Sequence, residues 1–152
     1  MKKYKKLLVI DPGITSGWAT FNLAEGVPET LKGLDRSMGQ VMGQRELWGL
    51  LTSIQDPPDL VIYERFRALG DYKIHFGKEN ITEQNIGIVL GYAYSVGADI
   101  VVQDPENKRK GYAWAKLKIA SNHKDSHRRD AYAHGEFYMV MNGYKIMRRE
   151  VT

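Results

Sequence analysis

The 152-residue sequence contains no cysteine, which excludes a disulfide framework and any thiolate-bound metal. It also lacks a long apolar run. The opening Met1 to Lys6 is basic like the start of an export signal, but only Leu7 to Ile10 follow before Asp11 and Pro12. An export signal needs an apolar stretch of about 7 to 15 residues and a membrane span about 20, so the expected location is the cytoplasm, with no membrane partner. No Gly-x-Ser-x-Gly elbow is present, which removes one common route to a serine nucleophile. Internal repeats, low-complexity tracts and linkers are also missing. With 43% apolar, 11% aromatic and 26% charged residues, the expectation is a single globular domain over residues 1–152.

Negative charge is scarce in the C-terminal part. Between Lys108 and Arg149 eleven lysines and arginines face only Asp125, Asp130 and Glu136, a local net of +8, while the rest of the chain carries −4. A polyanion suits such a surface, because each neutralised phosphate releases a counterion. A solvated basic face on an ordinary enzyme would look the same in composition.

Three short apolar runs, Leu7–Ile10, Leu60–Tyr63 and Ile100–Val102, are rich in β-branched residues and bounded by Asp, Pro or Glu. They read as strands covered on both faces. Gly17 to Asn22 alternates as an antiparallel partner of the first run, and a weaker third strand is expected near Thr30 to Leu34. Val41, Trp48, Leu51 and Ile54 repeat at helical spacing. A second helix is expected from Thr82 to Val96, with Ile86, Val89, Leu90 and Ala93 as its core stripe, Asn80 as N-cap and Gly97 as terminator. The last runs from about Ser126 to Asn142 and ends at Gly143. The order is βββαβαβα.

Asp11 closes the first buried strand and Glu64 the second. Burying an unpaired carboxylate costs several kcal/mol, roughly, so both belong at strand ends facing water or a cation, which is also where α/β sheets build sites. Taken singly, Asp11 can simply open an Asp-Pro-Gly turn and Glu64 can pair with Arg65 or Arg67. His127 and Asp130 change the balance: three apart on the first turns of the last helix, they project from one face. Three carboxylates and an imidazole on separate elements suit a hard divalent ion, Mg²⁺ or Mn²⁺. His134, four residues beyond Asp130, can support one of the ligands, although a satisfied surface histidine is the expected reading, and His75 and His123 carry no spacing argument.

The segments LLVIDPGITSGWAT (7–20), LVIYERF (60–66), QNIGIVLGYAY (84–94) and HRRDAYA (127–133) together resemble RuvC-like Holliday junction resolvases of the RNase H-like (retroviral integrase) superfamily. The resemblance implies an α/β RNase H-like fold, with a five-stranded mixed sheet in the order 3-2-1-4-5 flanked by helices. It also implies a homodimer that cuts branched DNA with Mg²⁺ or Mn²⁺, in a bacterial or phage-infected cytoplasm. Asp11, Glu64 and Asp130 match the family's acidic positions, and His127 falls where some members carry aspartate and others histidine. The expected chemistry is two-metal phosphodiester hydrolysis, with Asp11 bridging both ions, Glu64 on one and His127 with Asp130 on the other. The connection from Lys110 to His127 is short for the family, so the lysine nearest the scissile phosphate stays open among Lys108, Lys110, Lys116 and Lys118.

DNA contacts are further expected from Arg65, Phe66, Arg67, Lys73 and Lys78 in the loop after Glu64, and from Arg109, Arg128 and Arg129. Tyr112 and Trp114 can stack on bases, although a Trp between two alanines more often packs on a core. The helix over residues 82–96 is the expected dimer interface, with Ile81, Ile88, Tyr92 and Val96 on its outer faces and Gly87 and Gly91 allowing close approach. Two other readings compete. One is a catalytically inactive RNase H-like DNA-binding or scaffold protein. The other is an actin-like ATP-binding protein, for which 152 residues supply neither the second domain nor the second phosphate loop.

Overall fold

A computed structural model describes residues 3–66, 80–116, 126–144 and 146. Its strands are β1 (Lys6–Asp11), β2 (Thr15–Asn22), β3 (Val27–Pro28), β4 (Met38–Met42), β5 (Leu60–Glu64) and β6 (Asp99–Gln103). The described helices are α1 (Gly43–Ser53), α2 (Ile81–Val96), α3 (Asn107–Ala115) and α4 (Ser126–Met141). The strands form one mixed sheet whose main path is β3-β2-β1-β5-β6, with β4 also paired to β2. β1 is antiparallel to β2 and parallel to β5, and β6 is parallel to β5. This is the expected order with one strand added. Among the described residues, no helix is long and apolar enough to cross a membrane.

The continuous apolar runs follow from a sheet covered on both faces. Leu8, Ile10 and Val61 pack with Leu47 and Leu51 of α1 and Val89, Tyr92 and Ala93 of α2. Leu7, Val9, Leu60 and Ile62 pack on the other side with Ala131, Tyr132, Tyr138 and Met139 of α4. Side chains alternate along a strand, so the same parity that turns Leu7 and Val9 toward α4 also turns Asp11 there. Likewise Leu60 and Ile62 carry Glu64, and Val101 carries Gln103, to the α4 face.

Four expectations are corrected. Residues 30–34 are not a strand: Leu31 is buried, Leu34 N donates to Leu31 O, and Gly33 sits at φ +99° against the end of α1, where a Cβ would lie 1.9 Å from Ser53 O. The turn is needed to pack this segment on α1, and the pairing passes instead to β3 and β4. In the first helix the buried residues are Leu47 and Leu51; Val41 belongs to β4, and Trp48 is 51% exposed. Residues 107–115 add a helix to the expected order βββαβαβα. In α2 the core positions are Asn85, Val89, Tyr92 and Ala93, and Ile88 and Val96 also pack inward. Ile86 and Leu90 are half-buried, and Gly87, Gly91 and Tyr94 are exposed.

The caps fall as expected. Asn80 accepts from Glu83 N at 3.0 Å, and Gly97 closes α2 in the left-handed conformation at φ +70°. α4 starts under a cap from another element: Gln40 Oε1 of β4 accepts from the backbone N–H groups of His127 and Arg128 at 3.1 and 3.2 Å. Its seating depends on three glycines. A Cβ on Gly17 would lie 1.9 Å from His127 O, one on Gly111 1.9 Å from Ala133 O, and one on Gly135 2.4 Å from the Phe21 ring. By contrast, a Cβ on Gly49, midway along α1, meets nothing within 4 Å.

The two kinds of glycine predict opposite outcomes. Gly111→Ala should destabilise the fold by roughly 1–3 kcal/mol through forced separation of α3 and α4. Gly49→Ala should stabilise it by about 0.5–1 kcal/mol through helix propensity. Thermal unfolding should therefore shift down for the first and up for the second; a neutral Gly111→Ala would contradict the close approach.

Candidate active site

β1 and β5 run side by side in parallel, with Ile10 opposite Tyr63, so Asp11 and Glu64 end neighbouring strands at one edge. α4 brings His127 and Asp130 to the same edge from 116 residues away in the chain. His127 Nδ1 lies 3.2 Å from Asp11 Oδ2, so the imidazole meets the first-strand carboxylate. Lys108, at the start of α3, places its ammonium 3.3 Å from Asp130 Oδ2 and 3.4 and 3.5 Å from the two Glu64 oxygens. Of the three candidate lysines among the described residues, Lys108, Lys110 and Lys116, it is the one seated among the carboxylates. Tyr112, one turn further along α3, donates its hydroxyl to Asp130 Oδ1 at 2.5 Å.

His134 is not the surface residue expected but the supporting partner that its spacing from Asp130 also allowed. It is fully buried, with Nε2 2.7 Å from Glu64 Oε2 and Nδ1 2.6 Å from Gln103 Oε1. The signal was available in its neighbours: Ala133 and Gly135 mark a stretch of α4 that is closely packed on every side, and residues 131–136 are all buried.

The electrostatics divide the carboxylates. Burial pushes the Asp11 carboxyl up to about 6, the charges of Glu64 and Asp130 push the same way, and the His127 hydrogen bond and the more distant Lys108 only partly oppose them. For Glu64, burial also pushes upward, but the hydrogen bonds and charges of His134 and Lys108 outweigh it and hold the carboxyl below its usual range. His127 is raised by its bond to Asp11 despite burial. Burial would lower Lys108, yet Glu64, Asp130 and Asp11 together raise it. Among the described residues, no three acidic or imidazole groups close into a ready-made metal cage; the Lys108 ammonium lies between two of the carboxylates.

The remaining expected contacts divide. Arg65 pairs with Asp104 at 3.4 Å, and Arg65 and Phe66 line a cleft of about 290 Å³ with Pro12, Glu64, Thr82, Pro105 and Glu106. Arg109, Lys110 and Lys116 are exposed on or just after α3, and Arg128 and Arg129 are half-buried on α4. Trp114 stacks on Phe137, with ring centres 5.8 Å apart and planes 9° apart, so it packs within the protein. Arg67, Lys73, Lys78 and Lys118, with His75 and His123, lie outside the described residues.

No protein-family model and no curated protein matches the sequence. Solved structures do match. Thermus thermophilus RuvC in complex with a Holliday junction substrate superposes with a TM-score of 0.60 at 16% identity, covering 94% of this chain and 99% of that one. A further T. thermophilus RuvC structure gives 0.57 at 16% identity, over 93% and 99%. The Fowlpox virus resolvase, solved with Holliday junction DNA, gives 0.55 at 17% identity, over 89% and 99%. The chain therefore has the RuvC-like, RNase H-like fold.

The elevated Asp11 predicts a pH signature without metal. A carboxyl whose folded pKa lies above its unfolded value of 3.8 contributes stability that is complete below that value and lost as pH rises through about 6, a penalty of about 2 to 3 kcal/mol at alkaline pH. Asp11→Asn should therefore raise the unfolding temperature in chelator at pH 8, with the gain shrinking as pH falls through 6 toward 4. A gain that does not vary with pH would show that the carboxylate is not held under strain.

Proposed function

We propose that the protein is a metal-dependent endonuclease that hydrolyses phosphodiester bonds in branched DNA, Holliday junctions foremost and forks or flaps besides, as one catalytic domain. The observation that carries this reading is the meeting of Asp11, Glu64, Asp130 and His127 from three separate chain segments at the C-terminal edge of the parallel strands. Its fold is shared with proteins solved on junction DNA.

The donor set fits a hard divalent cation such as Mg²⁺ or Mn²⁺: it is rich in oxygen, burial together with the charges of Glu64 and Asp130 raises Asp11, and the carboxylates draw in a lysine. Asp11, Glu64, Asp130 and His127 would hold the metal, which when bound supplies Lewis acidity for hydrolysis at phosphorus. Among the lysines and arginines of the described residues, Lys108 lies against the carboxylates, and it is suited to a non-bridging phosphate oxygen. Arg109, Lys110, Lys116, Arg128 and Arg129, with Lys118, Arg67, Lys73 and Lys78, would track the DNA backbone, and Arg65 and Phe66 border the cleft beside Glu64.

Labelled junction, fork, flap and linear duplex incubated in Mg²⁺ and in Mn²⁺ test this directly, and an inactive scaffold would cut none of them. Asp11→Asn, Glu64→Gln and Asp130→Asn should each abolish cleavage while junction binding persists, because the lost charge ligates metal and does not grip phosphate. Residual cleavage above about 1% of wild type by Asp11→Asn would refute the assignment.

Paired cuts across a four-way junction need two sites related by a two-fold axis, so the active form is a homodimer. The outer face of α2 suits that contact: Gly87 and Gly91 leave open space above the helix, flanked by Ile86, Leu90 and the 71%-exposed Tyr94. Leu90→Glu with Tyr94→Lys should give a folded monomer that nicks without coordinated second cuts; an unaltered dimer in sedimentation would exclude this face. Substitutions at Ile88 or Tyr92 would instead damage the core.

A further inference from the structure

We infer that His134 is a positioning residue: clamped between Gln103 and Glu64, it fixes the Glu64 carboxylate in the rotamer that presents its remaining oxygen to the divalent cation. The inference rests on the nuclease reading above and deepens it.

Three observations lead to it. Glu64 and Gln103 are register partners at the ends of β5 and β6, and both turn toward α4. The His134 ring fills the space between them with no exposure, and each of its nitrogens is within 2.7 Å of one of the two. The bond falls on Glu64 Oε2, and among the described residues Oε1 keeps only the long contact of 3.5 Å from Lys108. A glutamate has one more side-chain torsion than aspartate, and so more freedom to lose when it ligates an ion. A buried partner that has already fixed that torsion lets the carboxylate bind without a new ordering cost, as outer-shell partners do for metal ligands generally. Tyr112 holds Asp130 by one oxygen in the same way. The difference is that the Tyr112 hydroxyl rotates about its C–O bond, whereas the imidazole is pinned at both ends.

A core histidine that merely satisfied its own polar atoms would affect stability and leave metal affinity alone. The test is therefore Mn²⁺ binding to the full chain, followed by titration calorimetry at neutral pH without DNA, alongside thermal unfolding in chelator. His134→Ala should weaken Mn²⁺ binding roughly 10- to 100-fold, and His134→Gln, which keeps an N–H donor near the Nε2 position, should recover most of the loss. Gln103→Leu, which frees only the far end of the ring, should cost several-fold and carries the test if His134→Ala does not fold. Wild-type affinity in any folded His134→Ala or Gln103→Leu protein, or a His134→Gln protein no better than alanine, would overturn the positioning role while leaving the nuclease reading intact. A wild type that binds no Mn²⁺ would overturn both.

Discussion

The close seating of α4 on the sheet is the contact on which the rest of the molecule depends. Gly17, Gly111 and Gly135 bring backbone against backbone or ring where any side chain would collide. The Gln40 amide, capping the helix start from β4, sets the position of its first turn. Gly17 and Gln40 act on the end of α4 that carries His127 and Asp130, and Gly111 and Gly135 seat its middle. Were the helix lifted by even one methyl group, the imidazole would leave Asp11 and Asp130 would leave Lys108. The site is therefore built by packing and not by loop closure, which suits a site that must hold its geometry before substrate arrives.

Once gathered, the charged groups settle into unequal states. Glu64 is held ionised by His134 and Lys108, whereas Asp11, deeper and facing two like charges, resists ionisation. Environments that push paired carboxylates apart are a recurring sign of chemistry. Lys108 supplies positive charge to the cluster through its ion pairs with Glu64 and Asp130. An ammonium can do this only approximately, because it offers a single charge to several carboxylates.

Much of this was legible in the sequence, for identifiable reasons. The runs at Leu7 and Leu60 announced doubly covered strands, and their terminal carboxylates stood out because a charge ending an apolar run requires a partner. The caps of α2 and the glycine that closes it are local signals and were readable as such. The residues that hold the site in shape were not. Gln103 and Tyr112 matter through contacts spanning 31 and 18 positions, and nothing in their immediate surroundings reports a distant partner; the small neighbours of His134 report its burial but not Glu64, 70 positions away. Nor did helical spacing identify the outer face of α2: nearly all of its candidate positions are apolar, so only tertiary packing decides that Tyr92 turns in and Leu90 stands at the rim. The segment 30–34 looked like a strand because Leu31 and Leu34 are core residues, but they are core residues of a turn.

The separation in sequence between Asp11 and its imidazole partner has a consequence during synthesis. Chains emerge from the ribosome N-terminus first, at about 5–20 residues per second, so β1, β2 and β5 can pair well before α4 is available. Throughout that interval Asp11 and Glu64 stand at an open sheet edge without His127, Asp130 or His134. No chain that ends before residue 134 contains the assembled cluster. A nascent chain of that length therefore lacks the complete cluster, which forms in one late step, when the last helix seats.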